Sequence, residues 1–468
     1  MRKHQVRGNG RTDARLVGMD QPTGTTDPTT EPRDGGSACG ATAYRRDQRA
    51  GLLRFAAGSR HAHGFGFLDE RGGLVAGRGV ELWITCRMTH VAALALLVDE
   101  PPAPGGPDRE GLRDLAAHGV RSLLDGPLRD PRHDGWFAHV DDEGEPVADA
   151  KQAYGHAFVL LAAASALAAG VEGAERLLAG AAAVHDARFW DEAEGMVVEE
   201  WDRAWQVLED YRGLNSTMHT VEAYLAVGDV TGQRRWHERA ARMAARTVGW
   251  ARAHDWRLPE HFDARWRPLP DHHRDQPAHP FRPFGATIGH GMEWARLLCS
   301  LRSVQLAAGG PENSGPDENG DPVPPGSELL EAALALADRA VDDGWAADGA
   351  DGFVYTTDWE GTPVVRSRMH WVLAEAIAMS TVLAAVTGDA RHEDDVARWW
   401  AYADRYLVDH THGSWHHELD ADNRPAVGTW SGKPDVYHAY QAALLADVPV
   451  AGSFAGACLR RGGAVGAG

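Results

Sequence analysis

The sequence predicts an all-helical protein built from about twelve helices arranged in pairs. Three observations carry this. Apolar residues recur at helical spacing from about 45 to 450, and short Gly, Pro and Asp breaks separate the periodic segments. Compact aromatic hairpin signals fall between some of the pairs: GWFAHVDDEGEP, FVYTTDWEGTPV and GSWHHELDADNRP.

In chain order, residues 1–44 contain QPTGTTDPTTEPRDGGSACG, which offers little to bury, so a disordered N-terminal tail is expected. Helices are expected near 45–58, 84–99, 108–124, 151–169, 173–189 and 217–228. Further ones are expected near 232–253, 286–307, 327–343, 368–387, 392–408 and 435–446. Many carry broad Ala/Leu faces, as in RMTHVAALALLVDE and AYGHAFVLLAAASALAAG. The polar, proline-rich GGPENSGPDENGDPVPPG at 309–326 reads as a surface insertion, and 451–468 as a frayed C-terminal tail. The first two hairpins look like variants of one unit, which argues for a repeated helix pair. Twelve paired helices fit either an open solenoid or a closed ring of six, and periodicity does not choose between them.

Composition narrows the function. The 468 residues carry a net charge of −20, a field that repels nucleic acid and anionic membranes, so neither is an expected partner. The basic opening segment lacks the apolar run of about 7–15 residues that a secretory signal needs. No stretch approaches the ~20 apolar residues that span a bilayer. Cys39, Cys86, Cys299 and Cys458 lie far apart and read as free thiols of a reducing compartment, hence a cytoplasmic protein. Seventeen tryptophans point to aromatic faces on which sugar C–H surfaces stack.

The strongest chemical signal is FRPFGATIGHGMEWARLL. Gly289 and Gly291 clear space around His290, and Glu293 follows at i+3, where it could fix the tautomer of His290. In KPDVYHAYQAALL, Asp435 is a plausible cap and His438 lies within the first turn. Alternation in GSWHHELDADN points Trp415 and His417 to one side. ELWITCRMTH sets Trp83 and Arg87 at i and i+4, a stacking platform beside a donor fork. Tyr154 opens another helix, and Asn215, His219 and Glu222 share one turn-and-helix face. Read singly, each is as readily a cap or a core residue. Together, the Trp83–Arg87, Tyr154 and Asn215–Glu222 sets each lie at the start of a predicted helix, so a ring with alternate helices starting at one end would bring them together. With no HExxH, no CxxC and no duplicated Glu-x-x-His, a metal is not expected. Nucleophile-elbow, P-loop and dinucleotide motifs are also missing.

At these residues the chain resembles the N-acylglucosamine 2-epimerase superfamily, in the branch that isomerises mannose and sulfoquinovose. The resemblance covers roughly 45–450 and rests on GFGFLDERG, ELWITCRMTH, DGWFAHVDDEG, DAKQAYGHAF, EEWDRAWQVLEDYRGLNSTMHTVEA, HFDARWRPLPD, RPFGATIGHGMEWARL, GADGFVYTTDWEGTPVVR, GSWHHELDADN and KPDVYHAY, in this order. It implies an (α/α)6 barrel with short β-hairpins at one end, spanning 45–450 as the catalytic domain. It also implies cofactor-free isomerisation of a monosaccharide through a cis-enediol. His290 and Glu293 match the family's G-H-x-x-E-W motif and His438 its D-x-Y-H motif. Arg87, Tyr154, Asn215 and His219 match positions that hold sugar hydroxyls, and Trp83 and Trp415 match aromatic walls. The implied roles are His438 as the carbon base, His290 with Glu293 as the ring opener, and Arg87 as the enediolate stabiliser.

Where the sulfo-sugar enzymes recur with RFRxFG, W-x-Q-E-L-D and K-Q-D-x-Y-H, this chain has Pro280, His417 and Pro434. The first change deletes a cation that could face a sulfonate. A neutral hexose follows, D-mannose to D-fructose, with D-lyxose and D-xylulose next. A 2-epimerase on the same barrel is the alternative. A glycoside hydrolase needs a pair of carboxylates across the bond, and Glu200, Asp202, Glu293 and Asp358 form no obvious pair. A sugar-binding module would keep the aromatics but need no acid/base pair. The sequence leaves monomer and homo-oligomer open.

Overall fold

Helices that are apolar all round belong inside a protein, and helices with one apolar stripe belong at its surface. In this computed structural model, which describes residues 41–309, 325–429 and 431–465, the helices sort in that way. In chain order they are α1 (Thr42–Ala56), α2 (Leu82–Leu97), α3 (Arg109–Asp125), α4 (Ala153–Ala168), α5 (Ala174–Val184), α6 (Leu214–Thr231) and α7 (Arg234–Ala253). There follow α8 (Ile288–Ala307), α9 (Gly326–Gly344), α10 (His370–Thr387), α11 (Ala390–Tyr402), α12 (Tyr437–Leu445) and α13 (Phe454–Val465).

The even-numbered helices α2 to α12 are buried over most of their lengths and form an inner ring, each touching the next, with α12 closing onto α2. The amphipathic α3, α5, α7, α9 and α11 back onto the inner helix that precedes each of them, and α1 backs onto α12. The result is an (α/α)6 barrel. The 18-residue α10 is apolar and long enough to cross a membrane by composition, but here it is a core helix between α8, α11 and α12.

The ring has one repeated joint. Residues 80–81, 151–152, 211–213, 286–287 and 368–369 lead into α2, α4, α6, α8 and α10. They pair antiparallel with 139–140, 200–201, 261–263, 356–357 and 418–419 of the hairpin after the following outer helix. A helix leaves its first N–H groups unsatisfied. Here the first N–H of each of these five helices donates to the carbonyl of Ala138, Glu199, Glu260, Tyr355 or His417, in that order. Three residues beyond each carbonyl stands an aspartate: Asp141, Asp202, Asp263, Asp358 or Asp420. Four of the five, all but Asp202, accept the backbone N–H groups two and four residues on. The joint fixes these five inner helices in the same direction, so their N-termini gather at the hairpin end.

Two expectations, on where the first helix starts and on the C-terminal end, need correction, and a third falls mostly outside the described residues. The chain turns helical at Thr42, not 45, and the rest of the expected N-terminal tail lies outside the described residues. Most of the expected insertion, 310–324, also lies outside them. The expected frayed C-terminus is instead α13. Its Phe454, Ala455, Ala457 and Cys458 are buried against α2, α4 and α6, where they close the end of the barrel opposite the hairpins. Its apolar spacing was hidden by its glycines. Cys86, Cys299 and Cys458 are buried free thiols, and Cys39 is not among the described residues.

Candidate active site

The gathered N-termini enclose a cavity of about 710 Å3, counting its open mouth. Of the residues singled out from the sequence, Trp83, Arg87, Tyr154, Asn215, His219, His290, Glu293, His417, Asp435 and His438 line it, while Glu222 and Trp415 do not. They come from α2, α4, α6, α8, the last hairpin and α12 with its lead-in, one contribution after another around the ring.

At the centre are two histidine–carboxylate pairs. The Glu260 carboxylate receives Nδ1 of His290 at 2.8 and 2.9 Å, and the Glu375 carboxylate receives Nδ1 of His438 at 2.9 Å. A carboxylate acceptor at Nδ1 holds the proton there and leaves the Nε2 lone pair free. The Trp371 ring lies against both imidazoles, with centroids 5.3 Å from His290 and 5.8 Å from His438. Burial, and next the charge of Arg87, push the His438 imidazole well below its ordinary pKa, so it stands neutral at physiological pH.

The expectation that Glu293 orients His290 is corrected. That partner is Glu260, which enters from the hairpin after α7. Helical spacing does bring His290 and Glu293 onto one face, but the carboxyl of Glu293 turns toward the barrel axis. There Oε1 lies 3.3 Å from Arg296 and 3.8 Å from His219, while Oε2 is buried without a hydrogen-bond partner. Burial, and next the neighbouring Glu375, push its pKa well up.

Arg87 is built in from all sides. Its guanidinium donates to Asp435 at 3.2 Å and to the Tyr154 hydroxyl at 3.1 Å. It also faces the rings of Phe158, Tyr437 and Trp83 at 4.6, 4.7 and 5.0 Å. Beside it, the rings of His370 and His417 stack at 3.7 Å. Burial lowers the pKa of His370 to about 4 and that of His417 well below the ordinary range, so two uncharged rings stack without repulsion. His417 donates from Nε2 to the carbonyl of Asp435. Phe281 and Pro283, from the segment after α7, wall the mouth.

The structure also moves Trp415 out of the pocket. It is 1% exposed, its indole N–H donates to Gln48 of α1, and it meets Trp400 of α11 edge-on. The chain bends between Trp415 and His417, so strand alternation does not carry through. The repeat gives the same answer: Trp136, Phe353 and Trp415 each make the lone β-bridge that opens their hairpin, and all three are core. Trp415→Ala should therefore cost about 3–5 kcal/mol of stability and leave KM unchanged in the folded fraction. A raised KM with unchanged stability would restore it to the pocket.

Two buried triads, His219–Glu222–Glu293 and Glu293–Glu375–His438, bring ligand-type atoms within 4.8 Å of one another. Neither fits a metal well, because the guanidinium of Arg296 already contacts Glu375 at 2.9 Å and Glu293 at 3.3 Å and supplies the local positive charge.

Sequence reasoning passed over Glu260, Glu375, His370, Trp371, Tyr355 and Phe281. The joint itself contains the missing signal for two of them. Glu260 and Tyr355 stand three residues before a turn aspartate, the register that puts His417 in the pocket.

This architecture has relatives. A protein named D-mannose isomerase from Thermobifida fusca is 52% identical over 409 residues, 87% of this chain and 94% of that protein. A crystal structure of D-mannose isomerase superposes with a TM-score of 0.76 at 24% identity, covering 86% of this chain and 97% of that one. The cellobiose 2-epimerase of Spirochaeta thermophila superposes with a TM-score of 0.68 at 21% identity, covering 91% and 98%. The family model described as N-acylglucosamine 2-epimerase matches residues 64–442. By that match and that identity, the chain belongs to the N-acylglucosamine 2-epimerase family.

Proposed function

We propose that the chain is an aldose–ketose isomerase interconverting D-mannose and D-fructose, with D-lyxose and D-xylulose as the next substrates. The observation that carries this reading is the pair of imidazoles, each held at Nδ1 by a glutamate, on one tryptophan and in one pocket with Arg87. The 52% identity to a protein named D-mannose isomerase supports the choice of sugar.

His290 accepts the proton of the anomeric hydroxyl and returns a proton to the ring oxygen, which opens the sugar. His438, neutral, removes the C2 proton through Nε2. Charge develops on O1 of the enediolate, where the fixed guanidinium of Arg87 stabilises it in a water-poor site. A proton passes from O2 to O1, and His438 delivers its own to C1. Bonds and protons balance, and one base serves both carbons on one face. No step uses a cofactor or a metal.

Incubation with D-mannose after exhaustive chelation, followed by chromatography of the sugars, tests the reading. D-Fructose should form at the unchelated rate. A rate restored only by an added divalent ion would overturn the acid/base account. The matched equipment of the two histidines also suits a two-base 2-epimerase, and the same chromatogram separates the readings, since an epimerase yields the C2 epimer, glucose.

The depressed pKa of His438 sets a pH expectation. Its base form persists as pH falls past the ordinary imidazole value near 6.5 and is lost only below it. The acid limb of kcat/KM, which reports the free enzyme, should therefore lie below that value, and a limb above it would show His438 to be charged in the resting site.

A further inference from the structure

Beneath the two histidines, the barrel axis holds a charged cluster that the chemistry above leaves unused. Arg296 lies on α8, nearly two turns beyond His290, with its side chain 4% exposed. Its Nε donates to Oε2 of Glu375 at 2.9 Å, and an Nη donates to Oε1 of Glu293 at 3.3 Å and lies 3.8 Å from Glu222. The other oxygen of Glu375, Oε1, is the acceptor for Nδ1 of His438 at 2.9 Å. Phe454 of α13 stands 5.5 Å from the guanidinium on the far side.

Stability alone does not explain such a cluster. Taking three carboxylates and a guanidinium out of water is expensive, and apolar side chains of similar volume commonly serve a core as well or better. The arrangement does have a direction: Arg296, Glu375 and His438 form an unbroken line that ends at the pocket. We propose that Arg296, which does not line the sugar pocket, is a positioning residue that keeps Glu375 an acceptor and so fixes the His438 tautomer whose Nε2 lone pair faces the sugar.

The physical argument turns on what Glu375 does alone. Burial pushes the Glu375 carboxyl above its ordinary pKa, and the charge and hydrogen bond of Arg296 are what pull it back most. Without the guanidinium, Glu375 takes up a proton and becomes a donor. A donor at Nδ1 moves the imidazole proton to Nε2, and an Nε2–H facing the sugar cannot accept the C2 proton. Glu222 cannot substitute as the controlling group, because its carboxylate is engaged by the Tyr437 hydroxyl and His219. Lysine is also a poor replacement, since one ammonium on a flexible stem does not reproduce a planar fork shared between carboxylates.

The proposal rests on His438 as the carbon base, and the test separates the two ideas. Nitrogen NMR of histidine-labelled protein without sugar, with the His438 signals assigned by their loss in His438→Asn, reads the tautomer directly. Wild type should show Nδ1–H, and Arg296→Met should move the proton to Nε2. In the same variant kcat should fall about ten- to a hundredfold, as for groups coupled through one hydrogen-bond network. KM should stay within about threefold, because no sugar contact is removed. Arg296→Lys should recover part of both signals. A folded Arg296→Met with the wild-type tautomer and kcat overturns the proposal. If Arg296→Met does not fold, Arg296→Lys decides: unchanged nitrogen shifts and unchanged kcat overturn it. If the tautomer shifts as expected while wild type forms no fructose, the positioning stands and the isomerase reading fails.

Discussion

His438→Asn should lower kcat for mannose isomerisation by about 10²–10⁴-fold, the usual cost of removing a general base, while sugar binding is largely preserved. The asymmetry follows from the pocket. Asparagine is smaller than histidine and keeps a polar head, and the groups expected to hold the sugar remain: Arg87 on Asp435 and Tyr154, and the stacked His370 and His417. What disappears is the one neutral nitrogen that Glu375 aims into the cavity. The decisive measurement is solvent-deuterium exchange at C2 of mannose and C1 of fructose, which reads carbon–hydrogen cleavage without waiting for product. Exchange should vanish with isomerisation. If His438→Asn still exchanges at the wild-type rate while His290→Asn does not, the two roles are reversed. If both variants exchange normally, the histidines are structural. Deuterium carried from C2 of labelled mannose to C1 of fructose would mark a single base on one face, whereas complete washout leaves His438 in place, because its imidazole can exchange with water before redelivery.

The helix pairs were legible in the sequence because each inner helix is apolar over most of its length and each outer one is striped, a difference that survives without coordinates. Closure of the ring was not legible from periodicity, since an open solenoid uses the same pattern. It needed the contact of α12 with α2 and of α1 with α12, between residues some 350–400 apart. The candidate site was legible to the extent that function sits at helix starts: His290 and His438 announce themselves beside Gly289 and Asp435. Their carboxylate partners did not, for different reasons. Glu375 lies in the middle of an apolar run on α10, where a lone acid looks like an exception rather than a partner. Glu260 lies in LPEHFD, a hairpin without the aromatic alternation by which the others were found. The nearest acid in sequence, Glu293, drew the assignment instead, because spacing along one helix shows which residues share a face but not which way a long side chain turns. Trp415 failed in the opposite direction. Its bulk suggested a sugar platform, yet it occupies the position at which Trp136 and Phe353 fill the core.

His290→Asn should be nearly as severe on mannose, lowering kcat by about 10²-fold or more, but for a different reason that substrate choice exposes. A hexose enters closed, and its C2 proton is not acidic until the anomeric carbon becomes a carbonyl. If His290 serves only to open the ring, its loss is felt in proportion to how much the substrate depends on that step. A short aldose that cannot close a ring, such as glyceraldehyde, arrives with its carbonyl already formed. On it the defect of His290→Asn should shrink to within about tenfold, whereas His438→Asn should remain inactive on both sugars. The pairing with Glu260 sharpens the contrast. A carboxylate holds His290 at Nδ1 just as one holds His438, so nothing in the placement of the imidazole restricts it to oxygen; the restriction must come from which atom of the sugar it meets. Equal losses for His290→Asn on cyclic and acyclic aldoses would mean that it meets carbon. The pocket would then hold two carbon bases on opposite faces of C2, and glucose, not fructose, would be the product to look for.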